Sequence, residues 1–403
     1  MPNFKIHKLS LLLAVTVIFL NTCTTSTAQP LQNPVVTSME VATTEVTSEA
    51  PIEVSPETTL GTTPGATPTT YLPLVSRPEI KFFGIYLKQY WNKKNVTTYM
   101  SQADQGAGGR KHTSVGWFID LEDIAFTEPV TYLPGNNLYS QLEELWKAGY
   151  ISFINLGTSA NAQEIIQGNR DSQIGYAAEF YKAWVDLGQG RRAMIAPMQE
   201  MNGEWTAYGK VSTSDDYKLA YRHILDIFAQ KGVTRDQVWW VFAPNGYNDP
   251  AQPLRIFENY YPGDDVVDIV GFSSYNYGYC QEIPEAYRRW ESYPQIFEPY
   301  IARMQAMAPS KPVIIAETGS VSYYVNNLPD YDKKNQWLIE NYNYFATRTG
   351  VIGVFYFSFS EFDGIKCDLE LNPNGVMLSG YGAAVSNTIY QYLNTTEMDS
   401  IIP

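Results

Sequence analysis

The sequence predicts an α/β chain closed into a (β/α)8 barrel of the TIM type, preceded by an export signal and a Thr/Ser/Pro-rich spacer. Three observations carry that reading. Eight short apolar runs alternate with amphipathic stretches from about residue 78 onward, the order expected of strand-then-helix units. The runs are continuously apolar where a half-exposed sheet would alternate, as in parallel strands covered on both faces. Polar and aromatic residues gather just after the runs, and barrels of this kind place their reactive groups at the C-terminal ends of strands. An open doubly wound sheet is the weaker alternative.

At the N-terminus, Lys5, His7 and Lys8 precede the apolar run 11–20, which is too short to span a bilayer and suits the core of an export signal. Cleavage after Ala28, behind Ser26 and Thr27, and lipidation at Cys23, behind Leu20-Asn21-Thr22, both stay open. Residues 1–28 are therefore assigned to the signal and 29–77 to a disordered spacer, in which apolar residues are too sparse and aperiodic to bury a core. The folded domain is assigned to 78–403.

Within that domain the candidate strands are 80–87, 115–121, 151–156, 193–198, 238–243, 267–272, 313–316 and 352–357. Between them, Leu138, Leu142 and Leu145 recur at helical spacing until Gly149. Tyr217, Ala220, Tyr221, Ile224 and Phe228 do the same until Gly232, and Trp337, Leu338, Tyr342 and Phe345 until Gly350. Thr213 and Ser214 are capping residues for the second of these helices, with Asp215 and Asp216 favourable in its first turn.

The strand ends carry the chemistry. The fourth run leads into Gln199, Glu200, Asn202, Gly203 and Trp205, and the seventh into Glu317. A carboxyl can protonate a glycosidic oxygen, an amide can hold a ring hydroxyl and an indole can stack on a sugar face. Two strand-end glutamates are the minimum that retaining glycoside hydrolysis requires. The remaining ends offer Asn245 after the fifth strand, Tyr275 and Tyr277 after the sixth, and Phe357 and Phe359 on the eighth. Glu204 and Glu361 are read as solvated surface acids, and Trp91, Tyr247 and Tyr277 as loop aromatics able to line a subsite. Trp239 and Trp240, adjacent in a strand, must face opposite ways and are read as core.

These residues resemble glycoside hydrolase family 26. The likeness rests on Glu200-Met201-Asn202-Gly203 with Trp205, on Tyr261-Pro262-Gly263-Asp264-Asp265 leading into Val267-Asp268-Ile269-Val270-Gly271, and on residues 312–319. The resemblance spans about residues 81–392. It implies a retaining (β/α)8 glycosidase with Glu200 as acid/base, Glu317 as nucleophile and Tyr275 donating its phenol to the nucleophile. Trp205 would lie beside the acid, and Phe357 or Phe359 would approach the sugar. Members of the family act mostly on β-1,4-mannan, some on mixed-linked β-glucan or β-1,3-xylan. Where the family often carries His before the acid/base this chain has Gln199, and where mannanases tend to have Trp on strand eight it has Phe.

With the carboxyls about 5–5.5 Å apart, like-charge repulsion should raise one pKa, and Glu200 is expected to be the protonated member. Several other chemistries find no support. The net charge of −14 disfavours nucleic acid and anionic membranes, and with His7, His112 and His223 as the only histidines a His-rich zinc site is not expected. There is no phosphate-binding glycine loop and no G-x-S-x-G elbow. The expected partner is a polysaccharide, with no cofactor, no metal, no nucleic acid and membrane contact only through a lipidated Cys23. The chain is expected to be monomeric and extracytoplasmic. Cys280 and Cys367 are left as a candidate disulfide. A glycan-binding surface protein that has lost turnover is the alternative to an enzyme.

Overall fold

The computed structural model describes residues 79–88, 95–124, 138–246, 256–282, 285, 288–325, 328–360, 367–373 and 375–403. The signal and spacer assignments, including Cys23, lie outside the described residues, as do Trp91, Tyr247 and Glu361.

In chain order the domain runs β1 (Phe82–Leu87), α1 (Val96–Gly106), β2 (Ser114–Asp120), α2 (Leu121–Ile124), α3 (Leu138–Lys147), β3 (Ile151–Gly157), α4 (Ala162–Ile166), α5 (Asp171–Val185), β4 (Ala193–Pro197), α6 (Ala207–Val211) and α7 (Ser214–Gln230). It continues with β5 (Val238–Phe242), β6 (Ile269–Asn276), α8 (Tyr293–Met307), β7 (Val313–Ser320), a short hairpin β8 (Tyr323–Val325) and β9 (Leu328–Pro329), α9 (Tyr331–Ala346), β10 (Val351–Ser358), α10 (Ser379–Val385) and α11 (Thr395–Asp399). Eight of the strands close in the order β1-β10-β7-β6-β5-β4-β3-β2, every pairing parallel. The eight expected strands are these eight. Those containing the site are longer than expected, with β6 reaching Asn276 and β7 reaching Ser320. Tyr275 and Glu317 thus lie within strands whose polar ends hid their extent.

Helix α7 shows how the outer ring is specified. Thr213 accepts from the Asp216 amide and Asp216 reaches back to the Thr213 amide, a capping box that satisfies two orphan donors. Its buried stripe of Tyr217, Ala220, Tyr221, Ile224 and Phe228 recurs at helical spacing against the barrel.

The core divides as alternation in the strands demands. Trp240, Val270, Phe272, Ile315 and Tyr356 face the helices, whereas Phe82, Phe153, Met194, Trp239, Ile314 and Phe355 fill the interior. The two adjacent tryptophans do face opposite ways. The same interior cluster takes in Leu393, Met398 and Ile402 from the C-terminal segment, next to Arg192, which lies over the Trp239 ring at 4.3 Å and pairs with Asp399. The barrel is filled and floored at its N-terminal end, which leaves the opposite mouth for chemistry. Across that mouth Cys280 is bonded to Cys367, with Cα atoms 5.7 Å apart.

Candidate active site

Glu200 comes into place through two left-handed residues. Met198 has φ 51° and Glu200 φ 54°, conformations that cost about 1–3 kcal/mol each without glycine. The turn is held by the Glu200 amide donating to the Ala243 carbonyl at 2.7 Å and by the Gly203 amide donating to the Glu200 carbonyl at 2.9 Å. Gly203 has to be glycine, because a Cβ there would meet the Trp205 ring at 2.2 Å. That ring lies over the turn so that its Nε1 donates to Glu200 Oε2 at 2.8 Å, while Asn245 Nδ2 donates to Oε1 at 2.9 Å. Ser273 supplies a third side-chain hydrogen bond. Only 1% of Glu200 is exposed, and a buried carboxyl is tolerable when donors surround it in this way.

Glu317 is turned inward by a bulge. Against β6, Phe272 pairs with Ile315 and Ser273 with Glu317; against β10, Val354 pairs with Ile315 and Tyr356 with Thr318. Each neighbour thus sees one extra residue on β7, the device that re-aims a side chain out of phase with its strand. Ala316 and Glu317 consequently both serve the interior. Tyr275 donates to Glu317 Oε2, and Asn155 Nδ2 donates to Oε1 at 3.4 Å.

Ser273 links the two acids. Its side chain bonds Glu200, its backbone pairs with Glu317 across β6 and β7, and it bridges to Asn245 on the other side. Tyr86, Tyr208, Tyr275 and Tyr277 each feel the charge of both glutamates, so the two carboxyls lie among one set of tyrosines at the C-terminal ends of the strands.

Burial raises both carboxyl pKa values, and Glu317 rises well above the ordinary range because Glu200 repels its charge as well. Glu200 is eased by three donors, from Ser273, Asn245 and Trp205. The two carboxyls therefore titrate as a coupled pair, and their protons belong to the pair and to neither acid alone.

Other expected residues divide by what their polar atoms contact. Asn202 is buried, and its amide exchanges hydrogen bonds with the Asn245 backbone at 2.8 and 2.9 Å, so it clamps two loops together where the sequence suggested a sugar contact. Asn245 holds the acid. Gln199 is buried, with its backbone carbonyl accepting from Tyr208 at 3.0 Å and its side-chain Oε1 unpartnered. Phe357 and Phe359 stack with ring centroids 4.2 Å apart, Phe357 also meeting Tyr275 edge-on at 5.9 Å, and both belong to the buried wall. Tyr277 is half-buried beside Tyr275, at 5.5 Å, and Glu204 is exposed. The Tyr261–Asp268 motif is scaffold: Arg222 pairs with Asp265 and Arg235 with Asp268, whose carboxylate also accepts from the Trp240 amide at 2.8 Å. Sequence reasoning missed Asn155, Tyr86, Ser273 and Tyr208. The signal for Asn155 was a lone amide in a largely apolar strand, in phase with Ile151 and Phe153.

A parallel eight-stranded barrel with buried, coupled glutamates delivered by its fourth and seventh strands defines the class: a (β/α)8 protein built around a carboxylate pair. Residues 188–347, which include both acids, match the family described as Glycosyl hydrolase family 26. Over those residues the chain is similar to that family. Endoglucanase H of Acetivibrio thermocellus is 31% identical over 232 residues, 56% of this chain and 23% of that protein. A mannan endo-1,4-beta-mannosidase of Bacillus subtilis is 30% identical over 190 residues, 40% of this chain and 48% of its own length. The match thus spans less than half of either relative. Among solved structures, the catalytic domain of the Bacillus sp. JAMB-750 endo-beta-1,4-mannanase aligns at a TM-score of 0.57 and 18% identity, over 80% of this chain and 89% of that one. A family 26 domain of a Prevotella bryantii endo-beta-mannanase/endo-beta-glucanase aligns at 0.51 and 16%, over 80% and 92%. At these identities the two structures speak for the fold alone.

Proposed function

We propose that this chain is an exported, retaining endo-β-glycanase that cleaves a β-linked polysaccharide by double displacement. The observation that carries the reading is the pair itself: Glu200 and Glu317 are buried, mutually repelling and each fitted with its own donors at one mouth. Glu317 attacks the anomeric carbon while Glu200 protonates the departing oxygen, and Glu200 then serves as base for the water that frees the glycosyl-enzyme. The productive form of the free site therefore has its proton on Glu200, and Tyr275 favours that form by donating to an ionised Glu317. The unpartnered Gln199 Oε1 is a buried acceptor suited to a sugar hydroxyl.

For substrate we put β-mannan first and mixed-linked β-glucan second, in line with relatives named for mannan and for endoglucanase activity, with β-1,3-xylan third. Export rests on the basic residues and apolar run at the N-terminus, and lipidation at Cys23 remains one of two routes. A reducing-sugar assay across these polymers tests the proposal. Hydrolysis of at least one is expected, with Glu317→Ala and Glu200→Ala each lowering kcat about a thousandfold or more. Wild-type rates in Glu317→Ala would remove the nucleophile assignment, and glycan binding without any hydrolysis would move the chain to the binding-protein reading.

A further inference from the structure

The Oε1 side of Glu317, opposite Tyr275, is served by two residues that no motif announced. Asn155 Nδ2 lies 3.4 Å from Glu317 Oε1 and 2.8 Å from the Tyr86 hydroxyl oxygen. An ionised carboxylate only accepts, so the amide must turn its nitrogen toward Glu317, and the second hydrogen on that nitrogen then goes to Tyr86. The amide has no reason to flip while Tyr86 holds it. Both residues are about 99% buried, with 1% exposure each. The Tyr86 ring is locked by Phe118, Phe153, Phe355 and Phe357 at centroid distances of 5.4, 6.3, 6.0 and 5.7 Å. Gly116 makes room for that ring, since a Cβ there would lie 2.2 Å from it.

We propose that Asn155 and Tyr86 form a nucleophile-positioning pair, in which Asn155 holds Oε1 of ionised Glu317 and Tyr86 fixes the amide that does so. The inference rests on the reading of Glu317 as nucleophile. It gives the acid a donor on each oxygen, Tyr275 from β6 and Asn155 from β3, so neither oxygen can swing away from the anomeric carbon. A carboxylate held at both ends presents one lone pair to the cavity and loses little freedom in the attack. The titratable groups that face Glu317 are Glu200 from the β4 turn, Tyr275 and Tyr277 from β6 and its loop, Tyr86 from β1 and Tyr208 from α6.

The test is a carboxyl carbon-13 NMR titration of Glu317 in the full chain, its signal assigned with Glu317→Gln. Removing a donor to the ionised form raises the titration midpoint, so Asn155→Ala should move it up by about one pH unit and Tyr86→Phe by about half of that. On the glycan that the wild type degrades, Asn155→Ala should lower kcat about tenfold with KM little changed. Glu317 midpoints within about 0.2 unit of wild type in both variants would overturn the pairing, whatever the activity. Should Asn155→Ala fail to fold, Tyr86→Phe, which keeps the packed ring, decides the question alone. If no glycan is cleaved, the functional reading fails, while the titration still judges the pair.

Discussion

Trp205 donates from its ring nitrogen to Glu200 Oε2 at 2.8 Å, and this one contact gives the indole a role beyond offering a face to sugar. A donor to a carboxylate favours the ionised form, so Trp205 works with Asn245 and Ser273 against the burial that raises the Glu200 pKa. On the mechanism proposed above, Glu200 carries its proton when the leaving oxygen departs, so activity should fall as pH rises through its folded pKa. Trp205→Phe keeps an aromatic face, removes the donor and raises that pKa further. The basic limb of the kcat/KM profile should therefore move to higher pH by about one unit, and an unmoved or lowered limb would show that the indole acts only as a platform. Both catalytic candidates were legible as residues, because each is an acid following an apolar strand where a core has no use for one. Their protonation was not, because it depends on how many donors reach each oxygen, and apart from Trp205 those donors lie more than forty residues away in the chain.

At the level of elements, the parallel strands were legible in their continuous apolar runs and the helices in their spacing and caps, as Thr213 with Asp216 illustrates. What the pattern hid was local geometry. The bulge at Ala316–Glu317 inserts a residue without changing composition, and the left-handed turn at Met198 and Glu200 uses no glycine. Asn155 reads as an oddity in β3 until Tyr86 and Glu317 are placed beside it. The loops after β6 and β10 are tied by Cys280–Cys367, 87 residues apart in sequence. Both cysteines are buried in the cluster that contains Tyr275, Tyr277, Phe357 and Phe359, so the bond braces the aromatic wall from behind. The double variant Cys280→Ser with Cys367→Ser should lose about 2–4 kcal/mol of stability in denaturant unfolding and show a lower kcat at temperatures where it remains folded. Unchanged stability together with unchanged kcat would mean that the wall stands without the brace.

Taken whole, the molecule divides its two ends between different tasks. Met398 and Ile402 floor the N-terminal end of the barrel with the Arg192–Trp239 stack beside them, while the C-terminal mouth buries two coupled carboxyl groups that folding would be easier without. A chain selected only for stability has little reason to keep that arrangement, and double displacement requires it. The anomeric course of the reaction tests this most directly. Proton NMR of the first products from β-mannan or mixed-linked β-glucan, whichever the protein degrades, should show the β-configured reducing end appearing first and the α form growing in later by mutarotation. Initial release of the α form would contradict the account, because it would mean that water attacks directly and Glu317 never bonds to the sugar.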